Sequence, residues 1–246
     1  MQNKIATFLA NELSQGESLG VVFGLSGGID SAVIAALCGK FLKDKSLALI
    51  MPDSSITPKI DTEDAMKLVD KLGLEYKLID ISFVQKEYSK YLVPNTLAVG
   101  NLAARIRANI LYYYANTKTQ LVLGSSDKSE FLMGYFTKYG DGAADLLPLV
   151  SLYKTQVRQF AKFLEVPESI TSKKSSPNLW PGHIAEMELG VSYEEIDIIL
   201  HCIVDKNLTI WETVSQTGID SSVVDKIYKM YKKNEHKRII PKACII

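Results

Sequence analysis

The chain has 246 residues, of which 47% are hydrophobic, and its 28 Lys and Arg residues balance its 28 Asp and Glu residues. This length and apolar content are sufficient for the core of a folded domain. Because the net charge is zero, we expect no nucleic-acid partner, and any anionic ligand must be held by local basic groups. No apolar stretch approaches the roughly 20 residues that cross a bilayer, and the amino terminus lacks a signal pattern. We therefore expect no membrane partner and a cytoplasmic location.

The first half of the chain alternates short β-branched runs with helical periodicity. The predicted strands cover residues 21–25, 47–51, 76–79 and 121–124, and the predicted helices cover 31–42, 58–72, 83–91 and 96–116. This order predicts an α/β fold with a doubly wound, mainly parallel sheet. Ligands bind such sheets at the carboxyl ends of the strands, so the loops at Ser26, Pro52 and Ser125 should converge.

Beyond Gly140 the strand signals stop and helices follow. Ser151 is predicted to start a helix over 152–164, and Ser192 and Thr209 each stand three residues before a Glu, the spacing of a capping box. The segment 172–182 has no periodicity, which is typical of a functional or mobile loop. We expect residues 1–246 to form one domain with a helical carboxyl-terminal portion.

A glycine-rich segment, residues 24–31, links the first predicted strand to the first predicted helix. Its glycines allow close backbone approach to phosphate oxygens, and the helix start supplies unpaired N–H groups. Ser26 and Ser31 add hydroxyl donors, whereas Asp30 would repel a polyphosphate unless a divalent cation, Mg²⁺ in the first instance, lies between them. The alternative interpretation is an ordinary strand-to-helix turn in which Asp30 is the N-cap.

A second polar stretch follows the fourth predicted strand and runs from Gly124 to Asp145. If Glu130 approaches Asp30, the two carboxylates could hold Mg²⁺ together with phosphate and water. The alternative for any single residue here is a solvated turn or a helix cap.

Three basic residues outside these two segments are candidates for binding an anionic ligand. Arg105 and Arg107 are two positions apart on a predicted helix, so they point to different faces and only one readily meets a given ligand. The alternative is that both are surface residues without a ligand. Lys154 stands near a helix start, where a cation is unfavourable, so it is either solvent-exposed or directed at a negative ligand.

Four segments, 24–31, 104–107, 136–145 and 236–238, make the chain resemble the ammonia-dependent NAD synthetases, a family of ATP pyrophosphatases with a Ser-Gly-Gly-x-Asp-Ser loop. The resemblance extends from about residue 20 to 241 and implies a Rossmann-like fold of the adenine nucleotide alpha hydrolase type. The chain departs from the family pattern in three places: Ser125 replaces a usual Thr, Ser175-Ser176-Pro177 replaces Pro-Ser/Thr-Ala, and 182–186 replaces Gly-Gln-x-Asp-Glu.

The resemblance implies ATP-dependent amidation of deamido-NAD to NAD with ammonia through an adenylated intermediate, in a homodimer with the dinucleotide at the subunit interface. It implies ATP binding by Gly24, Leu25, Ser26, Gly27, Gly28, Ile29, Asp30, Ser31, Ser125, Lys154 and Ser176; deamido-NAD binding by Arg105, Lys138, Asp145, His236 and Lys237; Mg²⁺ binding by Asp30 and Glu130; and catalytic roles for Asp30, Asp141 and Lys154. The roughly 20 residues before the loop are too few for a glutamine-hydrolysing domain, which favours ammonia as the nitrogen source; a separate glutaminase subunit is the alternative.

Two other function classes fit parts of the sequence. One is another adenylating ATP pyrophosphatase, such as a tRNA-modifying enzyme or a GMP-synthetase-like amidotransferase subunit, which would need a broad basic surface or an RNA module. The other is a non-catalytic nucleotide-binding regulator, which leaves Glu130, Lys154 and Asp145 without a role. The basic residues between 226 and 238 are otherwise typical of a solvated helix face.

Overall fold

A four-stranded parallel sheet lies at the centre of the computed structural model, which describes residues 1–244. Its strands are β1 (Gly20–Gly24), β2 (Ser46–Ile50), β3 (Glu75–Leu78) and β4 (Gln120–Leu123), in the order β3-β2-β1-β4. The fold is therefore the doubly wound α/β arrangement that the sequence predicts. Because β1 pairs with β4 in parallel, with Phe23 opposite Leu123, the loops that follow these two strands lie side by side. Residues 245 and 246 of the expected domain lie outside the described residues.

The described part of the chain has twelve α-helices. They are α1 (Gln2–Gln15), α2 (Ile29–Phe41), α3 (Lys59–Leu72), α4 (Ser82–Ser89), α5 (Thr96–Lys118), α6 (Lys128–Met133), α7 (Lys154–Phe163), α8 (Glu168–Thr171), α9 (Ala185–Leu189), α10 (Tyr193–Leu200), α11 (Ile210–Thr217) and α12 (Ser221–Lys233). Helix α1 is not predicted from the sequence. None of the helices in residues 1–244 is long and apolar enough to cross a membrane.

Helices cover the sheet on both faces. This is expected because β1 is apolar at successive positions, and successive side chains of a strand point to opposite faces. Val21 and Phe23 pack in a core with α1, α2, α3 and α7, whereas Val22 packs in a second core with α5. A third apolar cluster joins α6, α9, α10 and α12 in the second half of the chain. The helical carboxyl-terminal portion thus has its own core, in which α10 packs against α6 and α12.

The helix starts in the second half are only partly as predicted. Both capping boxes are confirmed: the Ser192 hydroxyl accepts from the Glu195 N–H at 3.3 Å, and the Thr209 hydroxyl accepts from the Glu212 N–H at 3.2 Å. The predicted start at Ser151 is wrong, because α7 begins at Lys154. The carbonyl of the preceding Leu152 accepts from the Lys128 N–H at 2.8 Å, so this segment is held against the start of α6 instead of entering the helix.

Candidate active site

The phosphate loop, residues 25–28, turns the chain from β1 into α2. Gly27 has φ +79°, and a Cβ there would lie 2.1 Å from the carbonyl oxygen of Asp61, so only glycine fits. The Ser31 hydroxyl accepts from the Ser26 N–H at 3.2 Å and donates to the Gly28 carbonyl at 3.0 Å. These bonds fix the loop at the start of α2, and the start of a helix supplies N–H groups that can bind phosphate.

The interpretation of Asp30 as an N-cap does not hold in the structure. Gly28 occupies the cap position of α2, and Asp30 is the second residue of that helix. The Asp30 carboxylate instead accepts from the Lys154 ammonium at 2.8 Å. A residue 124 positions away in the sequence is therefore its partner.

Lys154 stands at the centre of three carboxylates. Its Nζ lies 2.8 Å from Asp30 Oδ2, 2.9 Å from Asp127 Oδ2 and 2.8 Å from Glu130 Oε1. The Lys154 and Asp127 side chains are 0% exposed, whereas Asp30 and Glu130 keep 19% and 21% of their side-chain surface. We call these four residues the Lys154 cluster. It forms because β1, β4 and the first residue of α7 meet at one edge of the sheet.

The charges of the Lys154 cluster are not balanced. Burial, together with the nearby Asp30, raises the pKa of Asp127 to about 6 despite the opposing Lys154 ammonium. Desolvation and the charge of Asp127 likewise raise the pKa of Glu130 well above its usual range. Burial alone would lower the pKa of Lys154, but Asp127, Asp30 and Glu130 together raise it well above its ordinary value. The ammonium is thus firmly protonated, and the cluster carries an excess of negative charge.

The carboxylates of the Lys154 cluster fit a divalent cation. One oxygen from each of Asp30, Asp127 and Glu130 lies within 4.8 Å of the others. Asp30 Oδ1 is buried and has no hydrogen-bond partner among residues 1–244. Carboxylate oxygens are ligands that Mg²⁺ prefers, and a second cation would balance the excess negative charge. The expected approach of Glu130 to Asp30 is what the structure has.

Asp127 is a site residue that the sequence analysis did not single out. Its Oδ1 accepts from the Glu130 N–H at 2.8 Å and caps α6, a role that many aspartates before a helix fill. Its Oδ2 faces Lys154. The signal in the sequence was its position in the loop after a strand and three residues before Glu130.

A buried second layer supports the start of α7. Asp197, on α10, accepts from the Thr155 N–H at 2.8 Å and from the Ser129 hydroxyl, and that hydroxyl accepts from the Lys154 N–H at 2.9 Å. The ring of Tyr193, which is fully buried, lies 5.2 Å from Lys154 Nζ. These contacts fix the backbone and the aliphatic part of Lys154. No pattern in the local sequence around Asp197 predicts that it supports Lys154.

Four of the five residues that the resemblance assigns to the dinucleotide form a second group. The Arg105 guanidinium donates to the Lys138 carbonyl at 3.2 and 3.3 Å, and Lys138 Nζ donates to the His236 carbonyl at 2.7 Å. Lys237 Nζ donates to the carbonyls of Gly134 and Phe136 at 2.7 and 2.8 Å. The carboxyl-terminal segment thus lies against the loop after α6.

Arg105 and Arg107 do point to different faces of α5. Arg105 is exposed, whereas Arg107 Nε donates to the Met51 carbonyl at 2.9 Å and is held at the end of β2. Arg105 is therefore the arginine available to a ligand.

Asp141 and Asp145 serve the loop and the sheet in this structure. Asp145 Oδ2 accepts from the Val122 N–H at 2.8 Å and so anchors the edge strand β4, and Asp145 Oδ1 accepts from the Tyr112 hydroxyl at 3.2 Å. Asp141 Oδ1 accepts from the Thr137 N–H at 2.9 Å. Within residues 1–244 neither carboxylate pairs with Lys154, so both lie outside the Lys154 cluster.

Two further serines assigned to ATP, Ser125 and Ser176, lie in different loops. Ser125, partly exposed, lies two residues after the end of β4 and two residues before Asp127. Ser176 is exposed in the loop between α8 and α9, where its hydroxyl donates to the His183 carbonyl. The structure gives both an accessible position, and their contact with ATP stays a prediction.

Comparison with known proteins agrees with this geometry. The family model described as NAD synthase matches residues 1–241. The NH(3)-dependent NAD(+) synthetase of Staphylothermus marinus is 48% identical over 244 residues, which cover 98% of this chain and 89% of the relative. Among solved structures, an NMN synthetase from Francisella tularensis has a TM-score of 0.88 at 34% identity, covering 100% of this chain and 97% of that one.

A second solved structure extends the match. The NH3-dependent NAD synthetase from Campylobacter jejuni, in complex with the nitrate ion, has a TM-score of 0.85 at 36% identity and covers 99% of this chain and 97% of its own. The sequence, the sheet order and the loop after β1 therefore all agree with one assignment. The chain belongs to the NAD synthase family.

Proposed function

We propose that this chain is a ligase that converts deamido-NAD to NAD with ATP and ammonia, the final step of NAD biosynthesis. The observation that carries the proposal is the Lys154 cluster, a buried ammonium among three carboxylates, directly beside a preformed phosphate loop. The names of relatives up to 48% identical over nearly the full chain support the same reaction.

The reaction has two steps. The nicotinate carboxylate attacks the α-phosphorus of ATP, the bond to the β-phosphate oxygen breaks, and pyrophosphate leaves. Ammonia then attacks the carbonyl carbon of the acyl-adenylate, the carbon–oxygen bond breaks, and AMP leaves. Ammonium must lose one proton before the attack, and a carboxylate of the site can accept it. No nucleophile from the protein is needed.

The chain's own residues stabilise charge rather than form bonds in this scheme. The amides of the phosphate loop and the start of α2 would bind the pyrophosphate as it departs. The Lys154 ammonium, held in place by three carboxylates, would face the same negative charge. The dinucleotide would be bound by Arg105, Lys138, His236, Lys237 and Asp145. Asp141 would act as an acid beside the bound dinucleotide.

We propose that Asp30, Glu130 and Asp127 hold Mg²⁺. The support is their oxygens within 4.8 Å and the unpartnered Asp30 Oδ1. When bound, the ion would supply charge neutralisation on the phosphates of ATP.

A second candidate function is amidation of nicotinate mononucleotide to NMN. It is favoured by the NMN synthetase from Francisella tularensis, whose structure matches this chain over its whole length. Both reactions amidate a nicotinate carboxylate. The substrates differ because deamido-NAD carries a second nucleotide, which nicotinate mononucleotide lacks.

One assay tests both candidates. Purified protein is incubated with ATP, Mg²⁺ and ammonium, together with either deamido-NAD or nicotinate mononucleotide, and AMP, pyrophosphate and the amide product are measured. We expect the three products in equal amounts with deamido-NAD. If the amide forms only from the mononucleotide, the second candidate function replaces the first. If no amide forms from either substrate, both candidate functions are refuted. Asp30→Asn should abolish turnover, whereas the exposed Asp44→Asn should not.

We also propose that the chain acts as a homodimer. Large apolar side chains are exposed on and after α4, including Phe83 (79% exposed), Tyr91 (80%) and Val93 (87%). An exposed apolar patch of this kind is typical of a protein interface, and a second copy of the chain is the partner we propose. Light scattering should give twice the chain mass, and Phe83→Glu should reduce it. The cytoplasmic location stays a prediction.

A further inference from the structure

One lysine ties the loop between α8 and α9 to the phosphate loop. Lys173 Nζ lies 2.8 Å from Asp61 Oδ1 and 2.5 Å from Asp64 Oδ2, both on α3. It also lies 3.4 Å from the carbonyl oxygen of Gly27. The Lys173 ammonium therefore links its own loop to both α3 and the phosphate loop.

Asp61 is the point where these three segments meet. Its backbone packs so closely on Gly27 that no Cβ fits between them. Its Oδ1 accepts from Lys173, and its Oδ2 accepts from Asn178 Nδ2 at 3.1 Å. One side of Asp61 thus supports the phosphate loop while the other holds residues 173–178.

The ion pairs of Lys173 are shielded from solvent. Asp64 is 4% exposed at its side chain, Asp61 13% and Lys173 23%. Such pairs hold a fixed geometry better than fully solvated ones do. The next residue, Lys174, is exposed and provides a natural comparison.

We propose that Lys173 is a positioning residue for ATP, which by pairing with Asp61 and Asp64 holds the loop 173–178 against the phosphate loop. Neither the family resemblance nor the proposed roles include it. The inference rests on the proposed use of ATP, but it concerns the shape of the phosphate loop and not the amidated substrate.

Calorimetric titration with ATP and Mg²⁺, without the second substrate, measures this effect apart from turnover. Lys173→Gln should raise the Kd of ATP about tenfold, and Lys174→Gln should leave it within about twofold. In steady state, the KM for ATP should rise while kcat and the KM for the second substrate change little. Lys173→Arg, which keeps the charge, should recover most of the affinity. Melting temperatures of all variants report on folding.

A double-mutant cycle separates positioning from direct contact with phosphate. If Lys173 positions the loop through Asp61, Asp61→Asn also weakens ATP binding, and adding Lys173→Gln has little further effect. If Lys173 instead binds phosphate itself, Asp61→Asn frees it and tightens ATP binding, which would overturn the proposal. Equal Kd values for Lys173→Gln and Lys174→Gln would overturn it too. If the unaltered chain forms no NAD, the proposed function is refuted. The ATP-binding results would still test whether Lys173 positions the phosphate loop.

Discussion

Removal of the charge at the centre of the Lys154 cluster should destabilise the whole fold. In Lys154→Met the side chain keeps similar length and apolar volume, but the ammonium that lies 2.8 to 2.9 Å from three carboxylates is lost. Asp30, Asp127 and Glu130 then face one another without the cation between them. The perturbation is thus almost purely electrostatic.

The magnitude follows from the geometry. Two carboxylate oxygens within 4.8 Å of each other repel by at least about 3 kcal/mol at an effective dielectric constant of 20. Breaking a buried ion pair by removing one partner costs about 3 to 5 kcal/mol, and protonation of the carboxyls limits the total to this range. For a chain of this size each kcal/mol shifts Tm by about 2 to 4 °C, so we expect Tm to fall by roughly 10 °C.

Thermal unfolding followed by circular dichroism at pH 7 provides the measurement. Lys162→Met, an exposed position on the same helix, is the matched control and should melt within about 2 °C of the unaltered chain. Lys154→Met should in addition lose NAD formation. A Tm equal to that of Lys162→Met would refute the conclusion that the ammonium neutralises a buried carboxylate cluster.

Three further predictions concern other parts of the molecule. Gly27→Ala should unfold at clearly lower temperature than Gly218→Ala, because both positions have positive φ but only at Gly27 would a Cβ meet backbone; equal Tm values would contradict this. Burial raises the pKa of Cys38 to about 12, so a thiol reagent at pH 8 should label exposed Cys244 and leave Cys38 unlabelled, as peptide mapping would detect. Hydrogen bonds outweigh burial and lower the pKa of Asp205 to about 2, so its stabilisation is present above about pH 4 and lost as pH falls to 2. Asp205→Asn should therefore lower Tm at pH 7 but not at pH 2, and a loss that persists at pH 2 would contradict the assignment.

The strands and helices around the site were largely predictable because their signals are local. Alternating or continuous apolar runs mark β1 to β4, and the two capping boxes mark α10 and α11. The start of α7 was not predictable in the same way. Leu152 is an apolar residue that suits a helix, but its carbonyl is used by a distant N–H at the start of α6.

The sequence by itself determined the parallel sheet, the phosphate loop and the family, since each depends on residues close together in the chain. Only the tertiary structure decided which carboxylates surround Lys154, because Asp30 lies 124 positions and Glu130 24 positions from it. It also decided that Asp145 anchors β4 and that Lys173 binds Asp61 and Asp64. Such pairings depend on the order of strands in the sheet and on how the helices pack across it, and no local pattern of residue types encodes them.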